Sequence, residues 1–514
     1  MEGAERDGTV ASADETKSAG RGLISITGAK AYFIITSYAI QIALPRLLTT
    51  HEFGLFSSAM NVAAMVNNVL IVSTVQSVSK FVSESDDGSG AALRRGLGIQ
   101  IGLGTLLGSM FFFGAPAIAD SMLDDALTPL VRFSSGVVFS YALYAAFVGY
   151  LNGRRVFHRQ ALLDMTFSTL RAAGILGAAA LGFGAAGAMG GFATAAFLIM
   201  LSAAAFVGFG APTTAGTVTV KRWLAFTTPL WLYHAFLNGI MQIDVAVLKR
   251  LAAEMALAAG STAEAAANEA SELVAFYRAA QMFAFVPYQL ILSLTFIIFP
   301  LVSKAIAERN EAATKRYVQA AMRFSILFLV SIAAPISGAA SSVMKLAYPA
   351  EYAAGGSVLA VLSIGMVFFA LFVIAATIIT SAGRPGAAAV IGAISLVVVV
   401  VGNVVLVRQA GLGTAALGAA AMGTTLGTFV AVVLSGAFVY RMTNAFVPPL
   451  TVLRSVICGV GAFYAASYVA TLGTSKLAAI GALAAGFFTF VIGAAVTREF
   501  GKDEIGLVRR VLKI

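Results

Sequence analysis

The sequence predicts an all-α polytopic membrane protein of about fourteen transmembrane helices, written as two related halves. Three observations carry this prediction. Apolar residues make up 59% of the chain and charged residues only 11%, with a mean hydropathy of +0.89, whereas a soluble globule carries about a quarter charged residues. Apolar runs of about 20 residues, the length that crosses a hydrocarbon core, recur from one end of the chain to the other. Short segments also recur in the same order at offsets of roughly 220 to 230 residues, the mark of an internal duplication.

The duplication is legible in several places. "VSKFVSE" from Val78 is matched by "VSKAIAE" from Val302, each ending an apolar run and each followed by a basic pair, Arg94-Arg95 and Lys315-Arg316. "FGLFSSA" from Phe53 aligns with "VAFYRAA" from Val274, "LNGRR" ending at Arg155 with "SAGRP" ending at Pro385, and "GFGAAG" from Gly182 with "GLGTAA" from Gly411.

The first twenty residues are polar, mixed in charge and rich in small residues. They read as a disordered tail without the basic start of a cleaved signal, so the first apolar segment is retained. Spans follow near 22–44, 54–79, 96–119, 128–151, 158–182, 186–208 and 222–248. A second group falls near 273–302, 317–342, 354–380, 386–407, 414–440, 449–470 and 476–497. Between the groups, residues 250–273 form one sizeable outside loop, rich in Ala and Glu and expected to be a short surface helix. Pro229, Pro287 and Pro335 fall inside or near the start of spans, where a missing N–H bends or loosens a helix.

Lys and Arg in short loops resist translocation. With the N-terminus cytoplasmic, about 22 of the 34 Lys and Arg fall in cytoplasmic loops and tails, about six outside and about six in spans. Arg154-Arg155-Arg159, Lys221-Arg222, Lys315-Arg316 and the tail "GLVRRVLKI" are cytoplasmic, and the outside loop around Asp120, Asp124 and Asp125 has no cation. The basic tail requires an even number of crossings, so both termini are cytoplasmic. The net charge of +10 is thus a matter of topology, and nucleic acid is not an expected partner. Cys458 is the one cysteine and sits in an apolar run, so disulfides and cysteine metal sites are excluded. The three histidines are too scattered for a metal centre, and no cofactor is expected.

Ionisable groups at membrane depth are costly and are functional candidates by default. Arg132, Asp164, Arg323 and Arg454 lie close to span ends, where snorkelling explains them. Lys30, about eight residues into the first span, lies roughly 12 Å from its cytoplasmic entry at about 1.5 Å per residue. Ser37 and Gln41 continue the same helix face. Ser57, Asn61 and Asn68 draw a stripe on the second span, His234, Asn238 and Gln242 on the seventh, and Arg278, Gln281 and Tyr288 on the eighth. Such stripes can glue helices together, a role that does not call for Lys30 and Arg278. Arg171 lies near the middle of the fifth span with Asp164 on the same face, either paired through Ser168 or acting separately. Asp244 either binds a proton or Na⁺ or pairs with Lys249 or Arg250. The deep set, Lys30, Arg171 and Arg278 against Asp244, is cationic on balance and suits an anionic cargo, the guanidinium fork matching phosphate oxygens.

"ALPRLLTTHEFGLFSSAMN", "FYRAAQMFAFVPYQLILSLTFIIFPLVSKA", "LAYPAEYAAGGSVLAVLSIG", "TSAGRP" and "RQAGLGTAALGAA" occur in that order. The chain resembles the polysaccharide transporter family of O-antigen and exopolysaccharide flippases, in the multidrug/oligosaccharidyl-lipid/polysaccharide flippase superfamily, from about Gly22 to about Tyr440. The resemblance implies two pseudo-symmetric six-helix lobes in a V, at 22–210 and 211–440, with two further helices at 441–497. These lie between a disordered cytoplasmic tail at 1–21 and a basic one at 498–514. It also implies a cavity among helices one, two, seven and eight, in a bacterial inner (plasma) membrane. The implied cargo is a polyprenyl-pyrophosphate-linked oligosaccharide moved to the outer leaflet for polysaccharide or lipopolysaccharide biosynthesis. On this reading Lys30, Arg171 and Arg278 bind phosphate, Asn61, Asn68, Asn238 and Gln242 bind sugar hydroxyls, and Asp244 holds a coupling H⁺ or Na⁺. The partners are then the lipid-linked oligosaccharide and the bilayer, and a contact with a polysaccharide polymerase or other assembly protein is left open. Two alternatives remain. Export of cationic drugs would require acidic groups in the cavity. A membrane glycan polymerase or ligase would require catalytic groups on a substantial outside domain.

Overall fold

Peptide groups in hydrocarbon find no water, so a chain this apolar must satisfy its backbone within helices or a closed barrel. The computed structural model describes residues 13–84, 89–210, 219–473 and 475–499, and among them there is no strand. Six helices come first: α1 (Ala13–Leu47), α2 (Thr50–Ser83), α3 (Ser89–Ser121), α4 (Leu127–Gly153), α5 (Phe157–Ala180) and α6 (Gly184–Val207). Then come α7 (Val220–Ala258), α8 (Ala263–Ala284), α9 (Val286–Ala307), α10 (Glu311–Gly338) and the short α11 (Ala340–Ala347). After a 3₁₀ turn at Ala350–Gly355 the chain ends in α12 (Gly356–Ser381), α13 (Pro385–Ala410), α14 (Thr414–Thr443), α15 (Pro449–Thr471) and α16 (Lys476–Val496).

Thirteen of the expected spans coincide with one helix each, and the eighth is divided in two. Among the described residues ten helices are long and apolar enough to cross a membrane. The count of fourteen is therefore not reached on length and composition alone. The ten leave out α5, which carries Asp164 and Arg171, and α7, which carries Asp244 and Lys249.

The first helix starts at Ala13, earlier than the expected 22, and the basic tail beyond Glu499 lies outside the described residues, as do residues 1–12. Pro287, at the first turn of α9, lacks the N–H that would continue α8, and the break falls at Phe285. By contrast, α7 and α10 run on through Pro229 and Pro335. The expected surface helix at 250–273 is corrected: α7 continues to Ala258 and α8 begins at Ala263, with Thr262 capping Ala265 N–H at 3.3 Å. Ala252, Ala253, Ala256, Ala266 and Ala270 are buried, so the alanines serve packing as well as helix propensity.

The duplication has structural counterparts. In both heptapeptides the lysine reaches the glutamate four residues on, Lys80 to Glu84 at 2.7 Å and Lys304 to Glu308 at 3.8 Å. Gly182 and Gly184 join α5 to α6 with φ of 81° and 61°, and Gly411 and Gly413 join α13 to α14 with φ of 77° and 87°. Both connections thus place left-handed residues at the same two repeat positions, where glycine has no Cβ to clash.

The chain divides into two compact units. The first comprises Met1–Ala43, Val66–Ala115 and Pro129–Trp231, and the second Leu44–Met65, Pro116–Thr128 and Leu232–Ile514. In the first, Trp223 is buried on Phe81 with ring centroids 4.7 Å apart, and Ser77 and Thr227 share a hydrogen bond of 2.7 Å. Here α5 and α6 meet backbone to backbone at Gly174 and Gly191, where a Cβ on Gly174 would stand 2.4 Å from the Gly191 carbonyl oxygen. Small residues allow this close approach in a membrane, where burial gives helices little drive to associate.

In the second unit the α3–α4 turn is tied to α7 and α8. Lys249, fully buried, donates to Asp124 Oδ2 and to Ser271 Oγ, both at 2.5 Å, and Arg250 donates to the Ser121 carbonyl at 2.8 Å. Lys249 is therefore not a partner of Asp244. Near the end of the described chain Glu499 accepts from Arg323 Nε at 3.1 Å, Arg454 Nη1 at 2.9 Å and Thr451 Oγ1 at 3.0 Å. Burial alone would raise the Glu499 carboxyl, but the bonds from Arg454 and Thr451 and the charges of both arginines outweigh it and hold the group below its usual range. Arg323 and Arg454, expected to snorkel, are held by this carboxylate instead.

Two outcomes follow. Gly174→Ala must push α5 off α6 and costs about 1–3 kcal/mol by thermal unfolding in detergent. Gly177→Ala, where a Cβ would meet nothing within 4 Å, gains about 0.5–1 kcal/mol from helix propensity. Asp124→Ala strands the buried ammonium and costs about 3–5 kcal/mol, while Asp124→Leu with Lys249→Met recovers most of that loss.

Candidate functional site

The residues singled out from the sequence gather in two polar centres, one in each unit. In the first, α1 and α5 are joined by Tyr32 Oη and Thr169 Oγ1 at 2.9 Å. Arg171 projects from α5 toward α1, donates through Nη2 to Ser37 Oγ, and lies over the Phe33 ring at 4.5 Å and the Phe167 ring at 5.9 Å. The aromatic faces give its charge partial compensation. Its Nε–H is buried with no acceptor among the described residues, so a cation with donor capacity in reserve stands here. Asp164 accepts from Tyr144 Oη at 2.9 Å, and Ser168 Oγ turns to the Asp164 carbonyl at 2.8 Å. Of the two alternatives for Asp164 and Arg171, the structure takes the separate one. Lys30 on α1 is exposed and close enough to Asp164 for its charge to act there. Asn68 is also exposed in this unit, one helix turn or more beyond the buried Ser57 and Asn61 with which it shares a stripe.

The second centre is a connected network. Asn61 on α2 donates through Nδ2 to the Gln242 side-chain oxygen at 2.7 Å and to the Gln242 carbonyl at 3.0 Å. Asn238, one turn earlier on α7, donates to the Ala64 and Met65 carbonyls, both at 3.0 Å. Arg278 on α8 donates through Nη1 to Gln242 Oε1 at 3.2 Å and to Gln281 Oε1. Both of these bonds are made by the one nitrogen. Asp244 is fully buried and accepts from Tyr277 Oη at 2.6 Å, Val245 N–H at 2.8 Å, Thr424 Oγ1 at 3.2 Å and Gln281 Nε2 at 3.3 Å. Asn403 on α13 donates in turn to Thr424 Oγ1 at 3.3 Å. A carboxylate without water is tolerable only when donors surround it, and here four do. Neither Lys249 nor Arg250 is among them: Arg250 reaches Glu254 at 2.7 Å.

Lys30 and Arg171 thus both lie in the first unit, without a contact between them among those described, and Asn61, Asn238, Gln242, Asp244 and Arg278 come together in the second. Tyr277 and Thr424 are not among the candidates that the sequence offers. Tyr277 precedes Arg278 and leaves α8 on another face, and Thr424 is one of several threonines in the small-residue sequence "GTTLGT", where nothing local distinguishes it. Among the described residues no three His, Cys, Asp or Glu side chains are grouped to hold a metal ion. Removing the shortest of the side-chain bonds to Asp244, by Tyr277→Phe, is expected to cost about 1.5–3 kcal/mol in thermal unfolding, as for a hydrogen bond to a charged group.

A family model described as polysaccharide biosynthesis protein matches residues 19–306. No curated protein sequence gives a significant match. Among solved structures, the lipid II flippase MurJ in an inward closed conformation superposes with a TM-score of 0.72 at 13% identity, over 92% of this chain and 98% of that one. A multidrug resistance MATE family transporter of the MOP superfamily, inward-facing, gives 0.62 at 16% identity over 80% and 99% of the two chains. A MOP superfamily transporter from Pyrococcus furiosus, reported for the reverse polarity of its binding pocket, gives 0.58 at 17% identity over 83% and 96%. At these identities the likeness establishes the fold, that of a polytopic helical membrane protein, and these relatives are transporters and flippases rather than enzymes. With a family match over more than half its length, the chain belongs to the polysaccharide biosynthesis protein family.

Proposed function

We propose that this protein is a flippase that moves a polyprenyl-pyrophosphate-linked oligosaccharide from the cytoplasmic to the outer leaflet of a bacterial inner membrane, both termini being cytoplasmic. The observation that carries the reading is a pair of half-buried guanidinium groups, Arg171, whose Nε–H meets no acceptor among the described residues, and Arg278, bonded there through Nη1, in a family concerned with polysaccharide biosynthesis. A pyrophosphate crossing hydrocarbon needs counter-charge, because an unpaired ion there costs many kcal/mol. Arg171, Arg278 and Lys30 supply that charge. Asn68, exposed, offers its amide to sugar hydroxyls; Asn61, Asn238 and Gln242 do so on release of the bonds that now engage them, and the prenyl chain stays in the bilayer. The halves at 22–210 and 211–440 rock to expose the cargo alternately to each side, as repeat-built transporters do. Asp244 holds the coupling proton or Na⁺, with the Tyr277 and Thr424 hydroxyl oxygens beside it to turn toward either cation. On this reading polysaccharide polymerase or other assembly proteins are partners as well.

Cation-coupled drug export is the second reading, favoured by the MATE fold. Arg171 and Arg278 oppose it, since a cationic drug would meet like charge.

The two readings separate on deletion of the gene in its host. The flippase reading requires lipid-linked oligosaccharide to accumulate on the cytoplasmic face, to be cleared by the wild-type gene, and to be cleared at least about tenfold less well by Arg171→Ala and Arg278→Ala proteins that reach the membrane. A tenfold loss corresponds to about 1.4 kcal/mol, within the worth of one charge-assisted bond. No accumulation, with heightened sensitivity to cationic compounds, would transfer the assignment to drug export.

A further inference from the structure

One side chain touches both the guanidinium assigned to the anion and the carboxylate assigned to the cation. Gln281, buried on α8, accepts from Arg278 Nη1 on its Oε1 and donates through Nε2 to Asp244 Oδ2 at 3.3 Å and to the Met241 carbonyl at 3.2 Å. Arg278 and Asp244 have no direct ion pair; Gln281 stands between them. A primary amide is planar, with its oxygen and nitrogen fixed on opposite sides. It therefore cannot follow a change at the carboxylate without moving its oxygen relative to the guanidinium. Gln242 Oε1, the other acceptor of Arg278 Nη1, has both lone pairs engaged, by Arg278 and by Asn61, so it offers no further acceptor when Gln281 Oε1 turns away.

We propose that Gln281 is a positioning residue that couples occupancy of Asp244 by a monovalent cation to the anion affinity of Arg278. The inference rests on the flippase reading. A proton or Na⁺ on Asp244 takes up the lone pairs to which Gln281 donates and cancels the carboxylate charge. The amide then turns, Arg278 loses its Oε1 acceptor, and the guanidinium is freed for phosphate oxygens in a field made more positive. Both effects have one sign, so the cation tightens anion binding, and by linkage the anion tightens cation binding. The titratable or charged groups that face Asp244 are Tyr277 and Arg278 of α8; α14 adds Thr424 and its own helix the Val245 N–H, neither of them charged.

The test is calorimetric titration of the full chain in nanodiscs with geranyl pyrophosphate, with sodium and with choline in its place, and at two pH values without sodium. The sodium arm and the pH arm distinguish Na⁺ from H⁺. Wild-type protein is expected to bind about tenfold more tightly with the cation present, within the usual range of coupling between sites. Gln281→Leu should still bind, with the cation effect reduced to about twofold or less. Should that variant not fold, Asp244→Asn decides: it should bind as tightly as cation-loaded wild type under all conditions. A cation effect that survives in Gln281→Leu, or an Asp244→Asn affinity equal to that of cation-free wild type, overturns the relay. So does a wild type without any cation effect, and in each of these cases loss of binding in Arg278→Ala leaves the flippase reading intact. A wild type that binds no pyrophosphate overturns the flippase reading and the relay with it.

Discussion

A polar group buried in a medium without water must find its partner within the protein, and nearly every feature of this chain answers that demand. The backbone answers it through helices, which bond their own peptide groups. The side chains answer it locally where they can, as hydroxyls returning to a carbonyl one turn back on their own helix: Ser58 to Gly54, Ser77 to Ser73, Thr425 to Ala421. Where a charge is involved, one helix is not enough. Asp124 recruits Lys249 and Ser271, Glu499 recruits two arginines and a threonine, and Asp244 recruits a tyrosine, a threonine and a glutamine from two other helices. These charges are where distant parts of the chain are obliged to meet.

The acidic and basic groups are treated differently. Asp244 and Asp124 are fully supplied with donors, whereas Arg171 keeps a buried Nε–H without an acceptor among the described residues and Arg278 is bonded there through Nη1. Such an asymmetry suits a binder of anions. It leaves Arg171 with spare capacity at the cost of incomplete solvation, which the aromatic faces of Phe33 and Phe167 partly offset.

Periodicity and composition made the helices legible because a membrane span is long and its solvent uniform. The glycine pairs at 182/184 and 411/413 were legible as a repeat, and their left-handed backbone explains why the repeat is written in glycine. The ends were harder. Residues 250–273 looked like a loop because their alanines and glutamates lack the hydropathy of a span, yet α7 and α8 use those alanines for packing. Arg278, Gln242 and Asp244 stood out singly, since an ionisable or amide side chain in an apolar run is conspicuous. Their connections did not. Asp244 lies 33 residues from Tyr277 and 180 from Thr424, and no local pattern announces a bond over that separation. The nearer candidates, Lys249 and Arg250, were already engaged elsewhere.

The interruption at Phe285 has a mechanical side. A continuous helix transmits a twist or a push along its length almost as a rod, because each peptide is bonded to the next turn. Between α8 and α9 the backbone stays right-handed at Phe285, whose N–H reaches the Gln281 carbonyl at 3.1 Å and whose carbonyl takes the Gln289 N–H at 3.0 Å, while Pro287 two positions on has no N–H to give. With one bond of the ladder absent, this joint is where a bend between α8 and α9 meets least resistance, one turn beyond Gln281.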